Sequence, residues 1–164
     1  MIPAQSSQPL GLLPTVSLSR EQLEMLQSIE KADLWFVQER LERKLGLRPD
    51  QAERSIFEFK RYMALVGLGY RGLGMVSPAV DEAWHAFILF TREYAAFCHK
   101  AFGQFIHHIP RTSRDNRPDE GGTRFAEAYA EVFGPLATVW REAFKMQTAD
   151  DGPSGCGSED CTSN

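Results

Sequence analysis

The sequence predicts an all-α protein, a compact bundle of four to six helices with a break near residues 90–91. Apolar residues recur at helical spacing along most of the chain. Capping residues and Gly/Pro punctuation bracket those stretches, and no stretch alternates with the period of two that a strand needs.

Ser19 opens the first helical pattern as an N-cap, with Gln22 as its capping-box partner. Met25, Ile29, Ala32 and Phe36 continue at helical spacing, and Leu34, Val37, Leu41 and Leu45 carry the stripe to Gly46, a natural C-cap. A second helix over about 50–67 restarts at Pro49-Asp50, with Ile56, Phe59, Met63 and Val66 on one face. Gly67, Gly69, Gly72 and Gly74 then mark a bending loop. Ser77-Pro78 is a strong helix start, Ser as N-cap and Pro at the first helical position. Val80, Trp84, Phe87 and Ile88 follow, and apolar residues run on through Tyr94, Phe97, Cys98 and Phe102 to Gly103. The last pattern holds Phe125, Tyr129, Val132, Leu136, Val139 and Phe144, and Gly134-Pro135 should kink or split it.

These boundaries divide the chain into a flexible arm over 1–18, one helical domain over 19–146 and a disordered tail over 147–164. With 164 residues, 43% hydrophobic and 24% charged, the chain can bury a core without staples. Its net charge of −4 argues against a general nucleic-acid binder, which needs a basic face. No apolar run approaches the ~18–20 residues of a membrane span. The first residues lack a basic signal-peptide region, so a cytoplasmic protein is expected. Three cysteines, Cys98, Cys156 and Cys161, make no disulfide framework and fit a reducing compartment. The Phe-rich stretch 84–105 would serve a homodimer interface as readily as a core.

The chemistry concentrates in one stretch. His85, His99, His107 and His108 fall close together with Cys98 among them, and Asp81 stands one helical turn before His85. A carboxylate and an imidazole so placed can reach one cation. On one continuous helix, His99 would lie about 21 Å along the axis from His85. His108 could span only about 20 Å back from a helix end about 25 Å away. A shared site therefore requires the helix to break near Phe90-Thr91 and fold back, with Thr91 as N-cap.

The run Pro78–Pro110, with Val80-Asp81, Trp84-His85, Tyr94, Cys98, Gly103 and Phe105-Ile106-His107-His108, resembles the signature of the glycine-rich domain-containing protein family. That signature is Val-Asp-x-x-Trp-His, then a Tyr, a Cys, a Gly and a distal His. Relatives often carry Pro at the place of Thr91, so the resemblance implies a helix start there and makes His108 the preferred distal residue. Many also carry a second His where this chain has Phe87, so that position offers no ligand here. The family's Gly/Cys-rich tail survives only as Gly155-Cys156-Gly157 and Cys161. The resemblance implies a fold and little mechanism.

The resulting expectation is a metal site of Asp81, His85 and His108, with Cys98 or His107 as an addition. Two imidazoles and one carboxylate suit zinc or non-haem iron with open positions. Iron would allow dioxygen activation, with Trp84 and Tyr94 as the wall of a substrate pocket; zinc would polarise a water. Each residue also has an architectural reading: Asp81 as charge at a helix N-terminus, Trp84 and Tyr94 as core, Cys98 as a small buried apolar group, and His99 as surface. Arg40, Arg43, Arg48 and Arg54 read as a solvated face, and Arg111, Arg114 and Arg117 as a local anion-attracting cluster. Two rival functions remain: a helical interaction module whose Asp/His set is a hydrogen-bond network, and a Cys156/Cys161 tail that captures a soft metal. The sequence carries neither a Walker loop nor a Gly-x-Ser-x-Gly elbow.

Overall fold

A computed structural model describes residues 8–110, 114 and 120–150, the last four by backbone alone. The described residues form seven α-helices and no strand: α1 (Arg20–Glu30), α2 (Trp35–Leu45), α3 (Pro49–Gly67), α4 (Pro78–Ile88), α5 (Thr91–Phe102), α6 (Gly121–Phe133) and α7 (Thr138–Asp150). The all-α expectation holds, but the helix number exceeds the expected four to six. The additional helix comes from the stretch after Ser19, which the apolar stripe joined into one and the structure divides between Glu30 and Trp35. Asp33 Oδ1 accepts the Trp35 N–H at 3.2 Å, opening α2. The carbonyls left at the end of α1 are met from a distant helix. Lys60 Nζ donates to Glu30 O at 2.8 Å and to Ala32 O at 2.7 Å. Burial holds that ammonium below its usual pKa, against the opposing pull of Asp33 and Glu30.

Other boundaries follow local chemistry. Ser19 and Gln22 make the expected capping box, with Ser19 N–H donating to Gln22 Oε1 at 2.9 Å. Gly46 closes α2 at φ 68°, a left-handed conformation that favours glycine. Ser77 caps α4, and Gly134-Pro135 separates α6 from α7. The break between α4 and α5 stands at Leu89-Phe90, where Phe90 rather than Thr91 occupies the N-cap position without a side-chain cap. Aromatic packing holds it instead: Phe90 lies 4.7 Å from Phe36, and Phe87 lies 5.2 Å from Tyr94.

The expectation of a flexible arm over 1–18 is corrected for residues 8–18. Leu10 and Leu12 are buried, at 1% and 4% exposure. Leu10 N–H donates to Glu30 Oε1 at 2.8 Å, and Leu13 N–H to Val132 O at 2.9 Å. Pro9–Gly11 form a short 3₁₀ turn against α1 and α3, where the Leu-Gly-Leu patch finds apolar cover. At the other end α7 runs to Asp150, past the expected boundary at 146. Cys156, Cys161, Arg111 and Arg117 lie outside the described residues.

Helix α3 is the central element and packs against α1, α2, α4 and α6. Within the Phe-rich stretch Trp84, Phe87, Tyr94 and Phe97 are buried in the core, while Leu89 and Phe105 are exposed. One polar network ties α3 to the last two helices. Buried Glu58 accepts from Tyr129 Oη at 2.9 Å and from Trp140 Nε1 at 2.7 Å. Arg61 Nη1 donates to Glu58 Oε1 at 3.2 Å and to Tyr129 Oη at 2.6 Å. Its Nε reaches Leu10 O at 3.0 Å, which also pins the N-terminal turn. Burial, then the Glu58 charge, pushes the Tyr129 hydroxyl well above its usual pKa. Among the described residues, no buried side-chain N or O lacks a partner.

The Gly67–Gly74 loop returns from α3 and seats on the start of α6. Gly74 N–H donates to Gly121 O at 2.8 Å, and a Cβ on Gly74 would lie 2.8 Å from Gly121 C. Only glycine permits that approach of two backbones.

Candidate metal centre

Helix α4 presents Asp81 in its first turn and His85 one turn later. The helix breaks between Ile88 and Thr91, and the segment after Gly103 returns His108 to the α4 surface at Asp81. This fold-back is what the reach of the chain demanded for a shared site. One donor atom each from Asp81, His85 and His108 lies within 4.8 Å of the other two.

His108 Nε2 and Asp81 Oδ1 are hydrogen-bonded at 2.9 Å, with the ring N–H donating to the carboxylate. His85 Nε2 stands 3.6 Å from Asp81 Oδ2. The other nitrogen of His85, Nδ1, faces Glu82 Oε1 at 3.9 Å. The two imidazoles stack with centroids 4.7 Å apart and planes 18° apart. On its other face His108 lies on Trp84, 4.3 Å between centroids and 9° between planes. Exposure is graded: the side chains of His85, Asp81 and His108 are 41%, 25% and 14% exposed. The cluster is thus backed by an indole and open to solvent on the His85 side.

Around a tetrahedral ion with bonds of ~2.0–2.1 Å, donor atoms stand about 3.3 Å apart. Each oxygen of Asp81 faces one imidazole, Oδ1 at 2.9 Å from His108 Nε2 and Oδ2 at 3.6 Å from His85 Nε2. One donor atom from each of the three residues lies within 4.8 Å of the others, so an ion would draw the set together. Stacked rings aim their lone pairs nearly parallel, so an ion must tilt the imidazoles toward each other. His85, the more exposed of the two, has room to do so.

The remaining expected residues fall elsewhere. Cys98 is fully buried beside the Tyr94 hydroxyl and the Ile106 backbone, and burial raises its thiol pKa. It does not join the three-residue cluster, nor does His107, which is exposed and packs on Phe105 at 4.9 Å. His99 is exposed, as expected. Trp84 and Tyr94 are buried at 5% and 1% exposure, behind the cluster rather than beside its open face.

Two neighbours went unread in the sequence. Tyr62 of α3 packs on Trp84 at 5.5 Å, and its hydroxyl donates to Leu73 O at 3.0 Å. Burial, then the negative charge of Asp81, pushes its pKa up to about 12. Glu82 has the spacing to His85 that places two side chains on one helix face, a signal that was present but sits in an ordinary charged pattern. Tyr62 gave no local signal, because its relation to the site exists only through α3–α4 packing.

No curated protein and no solved structure matches the chain. A family model does match, over residues 24–129, from within α1 to within α6. It corrects the resemblance drawn from Pro78–Pro110: the family is not the glycine-rich domain-containing one, and the short Trp-His signature was too small a part of the chain to decide it. On a match covering more than half its length, the chain belongs to the UCP032817-like family, which is uncharacterised.

Proposed function

We propose that this protein binds one divalent metal ion, iron or zinc, through Asp81, His85 and His108. The observation that supports the reading is the convergence of three donor atoms to within 4.8 Å, from two segments that meet only because the chain folds back after α4. Two imidazoles and one carboxylate leave coordination positions free on the solvent side, the arrangement of catalytic zinc and of ferrous centres that activate a small molecule. The test is elemental analysis of anaerobically purified, tag-free protein beside His85→Ala and His108→Ala. About one equivalent of iron or zinc is expected in the parent and none in either variant. Metal retained by both variants, or absent from the parent after reconstitution, would overturn the proposal.

A second reading is favoured by the 2.9 Å bond between His108 and Asp81 and by the Trp84 stack. Here the set is architectural and pins the returning segment to α4. It expects no metal, and a stability loss for His108→Ala that chelators leave unchanged.

A further inference from the structure

We infer that Tyr94 is the positioning residue of the candidate metal site and acts on His108 through two hydrogen bonds; the inference rests on the metal-binding reading above. Its hydroxyl accepts from Trp84 Nε1 at 2.9 Å and donates to Ile106 O at 2.5 Å. Each bond reaches His108 by a separate route. The Trp84 indole is the surface on which the imidazole lies, 4.3 Å away and nearly parallel. Ile106 is two residues before His108 and belongs to the backbone that carries it. One buried hydroxyl therefore holds both the plate under the ring and the segment that delivers the ring.

The surroundings keep Tyr94 in that role. Phe87 and Phe105 meet its ring edge-on at 5.2 and 5.1 Å, so the phenol has little freedom to turn. At 1% exposure, with its donor and acceptor both engaged, it has nothing to offer a substrate. The expectation that Trp84 and Tyr94 wall a substrate pocket gives way to one in which they orient a ligand. Cys98, beside the same hydroxyl and the same Ile106 backbone, joins this clamp rather than the ion. Partners hydrogen-bonded directly to a metal-bound imidazole typically change affinity about 10- to 100-fold when removed; Tyr94 acts one contact further back, so its effect falls at the low end of that range.

The experiment uses the full chain with zinc and cobalt(II) as probes. Tyr94→Phe keeps the ring and deletes the hydroxyl; it is expected to bind zinc about 10-fold more weakly in chelator competition, with altered visible bands for bound cobalt. Trp84→Phe leaves an aromatic face under His108 but deletes the indole N–H, and is expected to weaken zinc in the same direction. Tyr129→Phe is the control: it too loses a buried hydroxyl, bonded to Glu58, and should lower the unfolding midpoint without changing zinc affinity. If the parent binds zinc and both Tyr94→Phe and Trp84→Phe bind it as tightly, the positioning role is overturned and the metal site stands. If the parent binds neither probe, nor ferrous iron added anaerobically, the metal reading falls and takes the inference with it. Should Tyr94→Phe fail to fold, Trp84→Phe decides alone.

Discussion

Glu58 and Asp81 are both helix carboxylates that draw on side chains from distant segments, yet they sit in opposite kinds of environment. Glu58 is 5% exposed, and its partners Tyr129, Trp140 and Arg61 arrive from α6, α7 and its own helix. Arg61 is itself shared with Leu10 O and Tyr129, and packs over Phe57 and Phe133 at 4.6 and 4.9 Å. That cluster is the more enclosed of the two: both Glu58 oxygens meet protein donors, and the Glu58 and Arg61 side chains are only 6% and 17% exposed. Asp81 carries one hydrogen bond of 2.9 Å, a looser 3.6 Å approach to His85, and a face open to water. Closed networks in low dielectric serve architecture, because breaking one leaves charges unpaired. An open set with unspent ring nitrogens can exchange a proton or a solvent contact for a ligand.

The largest effect expected from this contrast is on stability at the closed cluster. Glu58→Ala would strand Arg61, Tyr129 and Trp140, and should cost about 3–5 kcal/mol in urea unfolding. A loss below about 1 kcal/mol would mean that the network is not what holds α6 and α7 to α3. Alkaline pH gives the next effect and touches both regions. Tyr62 is raised to about 12, and Tyr129 and Tyr94 are also raised, so the folded state favours neutral phenols. That contribution is intact below the ordinary tyrosine pKa near 10 and is lost as pH climbs through the folded values. Tyr62 alone should account for roughly 2–3 kcal/mol between pH 10 and 12. Unfolding midpoints at pH 9, 10 and 11 should fall progressively, and Tyr62→Phe should flatten the decline; a flat parent profile would contradict the burial argument.

The smallest effect separates the two histidines in metal-free protein. His108 is stacked on Trp84 and hydrogen-bonded, so His108→Ala should cost about 1–3 kcal/mol. His85 is 41% exposed, and His85→Ala should change stability by only about 0.5 kcal/mol. Added metal should then raise both costs by the same amount, since both residues would be needed for the ion and only the parent gains its binding energy. Equal costs without metal would erase the distinction between the ring that is held and the ring that is free.

How much of this was legible follows from the range of the interactions. The Ser19 capping box, the Ser77-Pro78 start, the Gly46 stop and the Gly134-Pro135 division are written in neighbouring residues. The division of α1 from α2 was not, because Lys60 meets its exposed carbonyls from α3. The burial of Leu10 was equally hidden: a Pro-rich segment without period reads as an arm until α1 and α3 supply a seam for it. Asp81 and His85 could be paired from spacing. His108 was preferred over His107 from the resemblance alone; the exclusion of Cys98 required seeing it packed behind Tyr94.

By itself the sequence determined the all-helical class, most helix ends and the pairing of Asp81 with His85, since caps, periodicity and one-turn spacing act over a few residues. Tertiary structure alone decided that the distal histidine reaches that pair, that Cys98 stays away from it, and that Glu58 anchors the last two helices. Those outcomes depend on contacts between segments far apart in the chain, whose geometry arises only when the aromatic core around Phe36, Phe87 and Phe90 folds α5 back toward α4.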